Sequence, residues 1–331
     1  MKSILNYLYE YKTLSKEEAR NVLINIAKGL YNHSQIASFI SVYLMRSVTL
    51  QELSGFRDAL LDLCIPVDLS DYDTIDVCGT GGDAKDTFNI STLTTFILAG
   101  AGAKVAKHGN YAVSSTCGSS NIMEYIGYKF STNEDKLRKE IELTGVCFLH
   151  APLFNPAMKN VAPVRKELGV KTFFNMLGPL VNPSSPVKQM VGVYNLELAR
   201  LYSYLFQQME KDFVIIHSLD GYDEVSLTGE CKMISRDLEQ IISSSDLGLK
   251  KCLPEELAGG KTVPEAADIA IHVLENTGTE AQHDVVIANA GMGLKAYYPE
   301  KKIPECIDMA KESLESGKAL QTLKTLIKLN E

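Results

Sequence analysis

The sequence predicts an α/β protein: a small all-helical domain followed by a larger α/β domain with a central, mostly parallel sheet. Three observations carry that expectation. Residues 1–65 hold helical periodicity with no strand pattern between. From residue 73 the chain alternates strand, loop and helix, as an α/β sheet requires. Two successive strand-like runs, 74–78 and 103–106, each end in a polar, glycine-containing loop. In a parallel sheet those loops lie side by side at the carboxyl edge, where such sheets bind ligands.

The helical domain carries its own start signals. Ser15 with Glu18, and Thr49 with Glu52, fit the capping box that opens a helix, and Ser34 is a further candidate cap ahead of Ile36, Phe39, Ile40, Tyr43 and Leu44. The apolar faces of 1–65 exceed what so small a unit buries alone, which points to packing on the larger domain or to a helical dimer interface. Residues 66–71 read as a linker and 72–331 as the α/β domain. Within that domain 131–144 reads as a helix and 146–149 as a buried strand. A second helical pattern over 155–168 stops at Gly169, a natural C-cap. Residues 187–194 read as a strand, Asn195 caps a helix to about 209, and 213–217 is a buried strand that runs into the acidic turn at 223–224. Beyond 257 the patterns are helical, and periodicity leaves 284–289 open between strand and helix.

Composition narrows the partners. Hydrophobic residues make up 45% and charged residues 22%, enough for a large buried core. A formal net charge of −8 argues against nucleic acid or an anionic membrane as the main partner. Seven scattered cysteines without a CxxC spacing suit reduced thiols better than disulfides or a zinc site. The first 25 residues lack the apolar core of a signal peptide, and no apolar run nears the ~20 residues of a membrane span, so a cytoplasmic location is expected.

Between 73 and 125 the chemistry concentrates. Gly79-Thr80-Gly81-Gly82-Asp83 follows the first strand and matches neither GxxxxGK[ST] nor GxGxxG. Asn89-Ile90-Ser91-Thr92 opens the next helix, and Lys107-His108-Gly109-Asn110 ends the next strand. Singly, each has an ordinary explanation as a tight turn or an N-cap cluster. Together they describe a phosphate cradle: glycines admit an anion to the backbone, the helix start offers N–H groups and a positive dipole end, and a lysine stands beside it. Asp223-Glu224 would be only a solvated acidic turn, unless a polyanion lies near; Mg²⁺ prefers a few carboxylates completed by phosphate oxygens and water. Arg165 fits either a cation at a helix C-terminus or a bidentate grip on a carboxylate.

These motifs, with CGSSNIMEYIG, NPAMKNVAPVRKELGVKTFFNMLGPLVNP, GVYN and DGYDEVSLTG, resemble the anthranilate phosphoribosyltransferase family in order and spacing from the helical N-terminus to residue 229, with weaker echoes beyond. The resemblance implies the phosphoribosyltransferase/nucleoside phosphorylase fold, a segment near 165–185 returning to complete the helical domain, a homodimer through that domain, and a role in tryptophan biosynthesis. It implies a phosphoribosyl pyrophosphate site at Gly79, Gly82, Asp83, Thr87, Asn89, Ile90, Ser91, Thr92, Lys107, His108, Gly109, Asn110, Ser114, Ser115 and Ser119. Lys107 and His108 are the expected catalytic groups. Gly79, Asn110 and Arg165 would meet anthranilate, and Ser91, Asp223 and Glu224 would hold Mg²⁺.

The chain departs from the family's common pattern at Tyr111 (Arg), Thr116 (Lys), Ser120-Asn121 (Ala-Asp) and Asn155 (His). These departures keep open a transferase or phosphorylase for another aromatic acceptor. A catalytically silent relative binding nucleic acid through the same groove is disfavoured by Asp223-Glu224 and by the net charge. His150, close to Asn155 in sequence, reads chiefly as a packed histidine at a strand end.

Overall fold

Element starts follow local chemistry. Ser15 and Thr49 form the expected capping boxes with Glu18 and Glu52. The third helix starts at Asn32 rather than Ser34: Asn32 Oδ1 accepts from the Gln35 amide at 2.9 Å and Gln35 Oε1 accepts in return at 3.3 Å. Gln35 at the N3 position completes a reciprocal capping box with Asn32, which satisfies two backbone donors at once and so sets the start there. The structure, a computed structural model, describes residues 1–112 and 116–331. It divides into two compact units, Met1–Val67 with Ala151–Ser185, and Asp68–His150 with Pro186–Glu331.

In chain order the first unit supplies α1 (Lys2–Tyr9), α2 (Lys16–Ala27), α3 (His33–Met45) and α4 (Leu50–Leu63). The second supplies β1 (Thr74–Gly79), α5 (Ile90–Gly100), β2 (Lys104–Gly109), α6 (Ser119–Tyr125), α7 (Glu134–Thr144) and β3 (Val146–His150). α8 (Ala151–Phe154) and α9 (Ala162–Leu168) belong again to the first unit. The second then resumes with β4 (Lys188–Gly192), α10 (Leu196–Gln208), β5 (Asp212–Ser218), β6 (Cys231–Ser235) and β7 (Glu239–Ile242). It ends with α11 (Val263–Leu274), α12 (Glu280–Tyr297), α13 (Ile303–Glu315) and α14 (Lys318–Lys328). Among the described residues no helix is long and apolar enough to cross a membrane.

In the second unit seven strands order as β3-β2-β1-β4-β5-β6-β7. The pairs from β3 to β5 are parallel and the β5–β6 and β6–β7 pairs antiparallel. The chain winds outward from β1 through β2 to β3, then restarts at β4 on the other side of β1. That reversal puts a crevice at the carboxyl ends of β1 and β4. Strands β6 and β7 extend the sheet beyond the last run expected from sequence. α12 settles the open segment 284–289 as helix. Its residues from Val285 to Leu294 are all buried, so a helix sheathed on every side shows no amphipathic period.

The first unit closes around aromatics. Phe173 stacks on Phe56 at 4.5 Å and meets Phe39 edge-on at 6.1 Å. The returning segment is longer than 165–185, starting at Ala151, and the α/β unit is correspondingly interrupted rather than continuous over 72–331. The physical reason lies in its ties: the Ile65 amide donates to the Phe154 carbonyl at 2.8 Å and the Val67 amide to the Pro183 carbonyl at 3.2 Å. Gly55 lets α4 lie close on α2, since a Cβ there would stand 2.2 Å from the Lys16 carbonyl.

Glu52 is fully buried and holds the unit together as an acceptor. It takes hydrogen bonds from the Leu14 amide (3.0 Å), Tyr43 Oη (3.2 Å) and the Thr49 amide (3.0 Å), and pairs with Arg46 at 2.6 Å. Burial pushes its pKa up, but the Arg46 guanidinium and the backbone donors more than offset this and hold it below its ordinary 4.5. A carboxyl lowered on folding stabilises above its unfolded pKa, and that stability is lost as pH falls through the lower folded value. Glu52→Gln is therefore expected to cost about 3 kcal/mol in urea denaturation at pH 7, with the gap to wild type narrowing as pH is taken below 4.5.

Candidate functional site

The site grows from places where only glycine fits. A Cβ on Gly192, at the end of β4, would lie 1.5 Å from the Asp223 carbonyl oxygen, and one on Gly79, at the end of β1, 2.3 Å from Asp223 Oδ2. The two strands pair in register to Gly79↔Gly192, and the Thr80 amide continues with a 2.9 Å bond to the Gly192 carbonyl. Gly81, at φ +64°, turns its amide onto Asp223 Oδ2 at 2.7 Å. The acidic turn after β5 is thus seated on the ends of β1 and β4.

Two devices unforeseen from sequence hold that turn. Asn289, buried in α12, donates to the Val225 carbonyl and accepts from the Val225 amide, both at 3.0 Å. Ser218 Oγ donates to the Glu224 carbonyl at 2.6 Å. A polar residue inside the otherwise apolar run 285–294 of α12 was the available signal, because a buried amide must find partners.

On the other side of β1, α5 and β2 supply the cations and donors. Lys107 is buried, and its Nζ donates to the Val77 carbonyl at 2.6 Å and to Ser91 Oγ at 3.3 Å. Burial lowers its pKa, opposed by Cys78, Asp76 and Glu224. Asn89 heads α5 without capping it; its Nδ2 donates instead to the Cys117 carbonyl at 3.0 Å, tying the helix start to the loop after β2. Thr80 and Thr92 hydroxyls are buried and have no hydrogen-bond partner among the described residues. Thr92 is among the donor-site residues that the family resemblance implies, whereas Thr80 appears in the sequence reading only as part of the glycine motif.

The loop after β2 is closed on itself. The Asn110 carbonyl accepts from the Ser120 amide (3.1 Å) and Ser119 Oγ (3.4 Å), and a Cβ on Gly109 would meet Ser119 Oγ at 2.5 Å. Asn121 Oδ1 accepts from the Ala112 and Gly118 amides. Thr87 bridges to Ala258, and Thr116 donates its amide and hydroxyl to Asp86, so the segment around Gly82, Asp83 and Thr87 is held from both flanks. Ser114 and Ser115 lie outside the described residues. Tyr111 donates its hydroxyl to Glu124 and sets its ring edge-on to His150 at 4.7 Å. His150 stacks on Phe130 and shares a 2.8 Å hydrogen bond with Ser120: it is a packed histidine.

Electrostatics identify what the crevice wants. Burial, then the Asp83 carboxylate, raises the Asp223 pKa; burial, then Asp223, raises that of Glu224 well above its ordinary value. Lys107 and the Ser91 amide pull Glu224 the other way. Two buried acids that resist ionising together call for a cation, since paired charge offsets desolvation. Among the described residues no group of three or more His, Cys, Asp or Glu side chains is placed to hold a metal alone. A hard divalent ion shared between Asp223, Glu224 and an anionic ligand's oxygens fits these residues.

Gly79, Gly81, Asn89, Ser91, Lys107, His108, Asn110, Asp223 and Glu224 all belong to the second unit. Arg165 belongs to the first, near the end of α9, where it donates to Asn175 Oδ1 at 3.3 Å and lies over the Phe174 ring. Burial alone lowers its pKa, with no carboxylate among the causes. Asn155 is buried in the same unit, ahead of the short 3₁₀ turn Pro156–Asn160.

A helical unit and an α/β unit that gathers glycine strand ends, a buried lysine and an acid pair are the two parts of a two-domain glycosyl transferase, the class that the family models give this chain. The family described as "Glycosyl transferase family, helical bundle domain" matches residues 2–64, and "Glycosyl transferase family, a/b domain" matches 71–320. The chain is 59% identical over 330 residues to the anthranilate phosphoribosyltransferase of Flavobacterium psychrophilum, covering 100% of each. It superposes with a TM-score of 0.92 on the crystal structure of that enzyme from Thermus thermophilus, at 30% identity and 98% coverage of each chain. A structure of the Saccharomyces cerevisiae enzyme in complex with PRPP and Mg gives 0.91 at 27% identity, covering 99% and 97%. The chain belongs to the anthranilate phosphoribosyltransferase family.

The glycine contacts rank two substitutions. In Gly79→Ala the new methyl meets a side-chain carboxylate that can swing, whereas in Gly192→Ala it meets a backbone carbonyl that cannot. Urea denaturation is expected to show about 1 kcal/mol lost for Gly79→Ala and about 3 kcal/mol or more for Gly192→Ala.

Proposed function

We propose that the protein transfers the phosphoribosyl group of phosphoribosyl pyrophosphate (PRPP) to the amine of anthranilate and releases pyrophosphate, a step of tryptophan biosynthesis. The observation that carries this reading is the seating of the acid pair on the glycine ends of β1 and β4, opposite a buried lysine and a helix start. An anionic diphosphate with its cation satisfies all of these groups at once.

The donor is held by Gly79, Gly82, Asp83, Thr87, Asn89, Ile90, Ser91, Thr92, the run from Lys107 to Asn110, and Ser119. Asp223, Glu224 and the Ser91 hydroxyl would hold Mg²⁺, which when bound neutralises charge on the diphosphate. Breaking the bond at ribose C1 puts positive charge on the sugar and negative charge on the leaving group. Lys107 and the loop amides therefore matter more than a strong base. The aromatic amine is uncharged at neutral pH and needs no prior deprotonation. Its proton leaves after attack, to pyrophosphate or to His108. Gly79 and Asn110, with Arg165 gripping the carboxylate, receive anthranilate. The buried guanidinium of Arg165, which among the described residues meets Asn175 and the Phe174 ring but no carboxylate, supports that role.

The reading includes a homodimer through the helical unit, supported by the exposed Tyr9, Leu44 and Met45 on its surface. It also includes a cytoplasmic setting, supported by seven free cysteines. The testing experiment incubates the purified protein with PRPP, Mg²⁺ and anthranilate, and in parallel with other aromatic amines and bases; consumption of PRPP with a different acceptor alone overturns the assignment. Tyr111 and Asn155 make that panel worthwhile.

Two kinetic outcomes are expected. Asp223→Asn combined with Glu224→Gln, and separately Lys107→Ala, lower kcat/KM for PRPP by about 10²–10³-fold, against about tenfold or less for His108→Ala; near-normal turnover without the acid pair removes its metal role. Arg165→Ala raises the anthranilate KM by about tenfold or more while the PRPP KM moves less than about twofold; equal shifts in both would contradict carboxylate capture.

A further inference from the structure

Strands β1 and β2 part company early. Their register pairs Thr74↔Lys104 and Ile75↔Val105, whereas β1 pairs with β4 as far as Gly79↔Gly192 and β2 with β3 as far as Gly109↔His150. The carboxyl halves of β1 and β2 are thus each laddered on the outer side, while the pairing between them has ended. Side chains cross where the ladder stops. Asp76 Oδ1 accepts from the His108 amide at 3.1 Å, and Lys107 Nζ donates to the Val77 carbonyl at 2.6 Å.

We propose that Asp76 is a positioning residue for the donor site, its carboxylate standing in for the strand ladder and so aiming Lys107 and His108. This rests on the functional reading above. Asp76 is fully buried in the middle of a sheet, a position where an apolar side chain would ordinarily be the more stable choice. Where the ladder has stopped, the Val77 carbonyl is taken by Lys107 Nζ, which also reaches Ser91 Oγ at 3.3 Å, while Asp76 holds the amide of the next residue, His108. Asp76 also lies within electrostatic reach of that buried ammonium, as does Glu224, and each favours its charged form. Asp76 touches none of the reacting atoms in this scheme; it acts through the two residues that follow in β2.

Two variants separate the parts of the role. Asp76→Asn keeps an oxygen acceptor for the His108 amide and removes the charge; Asp76→Ala removes both. Amide hydrogen exchange at His108, read by NMR, is expected to remain slow in Asp76→Asn and to accelerate about 10- to 100-fold in Asp76→Ala. The kcat falls by a similar factor in Asp76→Ala and is partly rescued in Asp76→Asn, with the anthranilate KM within about twofold of wild type in both. Unchanged His108 exchange in Asp76→Ala overturns the proposal, as does a kcat within about twofold of wild type in that variant. Should Asp76→Ala not fold, loss of His108 protection in Asp76→Asn, or no fall in its kcat, overturns it equally. A wild-type protein that does not consume PRPP sinks the functional reading instead, and leaves the exchange result to stand by itself.

Discussion

Two carboxylates side by side in a buried turn are costly unless something offsets their charge, and much of the second unit is arranged around that cost. Asp223 and Glu224 are nearly closed to solvent and both resist ionisation. The turn that carries them cannot drift to water because its backbone is tied on several sides. Asn289 takes both hydrogen-bonding groups of Val225, Ser218 holds the Glu224 carbonyl, and Gly79 and Gly192, lacking Cβ atoms, let Asp223 seat on the ends of β1 and β4. Acids pinned in this way are pre-organised: folding fixes their positions before any ligand arrives.

The sheet topology explains why such a turn meets the glycine loop, the helix start and the lysine at all. Winding outward from β1 in one direction and restarting at β4 in the other opens a crevice at the carboxyl edge. β4 and β5 bring the acids to one wall. β1, α5 and β2 bring glycines, a helix start and Lys107 to the other. Beyond Ile75↔Val105 the β1–β2 ladder stops, and there Lys107 Nζ takes the Val77 carbonyl and Ser91 Oγ as its acceptors.

Much of this was legible in the order of residues. Glycines after a strand, Asn89-Ile90-Ser91-Thr92 at a helix start and a lysine at the next strand end are local patterns whose meaning depends on a few neighbours, so they survive translation into structure. The capping boxes at Ser15 and Thr49 did so too. Local competition misled at Ser34, where Asn32 caps more strongly. The pair β6–β7 escaped notice because short strands at a sheet edge carry little periodic signal; Ile241, on the outermost strand, is itself exposed. α12 was ambiguous because complete burial erases the polar face that marks a helix. The length of the returning segment was misjudged because its attachment runs through backbone bonds at Phe154 and Pro183, which leave no trace in side-chain pattern.

What the sequence determined by itself was the set of chemical groups and their grouping on adjacent strand ends, since turn residues, caps and periodicity act over a handful of positions. Only the tertiary structure decided that Asp223 sits against Gly79, Gly81 and Gly192, that Asn289 clamps the turn from a helix 64 residues further on, and that Asp76 reaches across to β2. These are contacts between distant segments, set by strand order and close packing. No local rule contains them, because they depend on which backbones the completed sheet brings within reach.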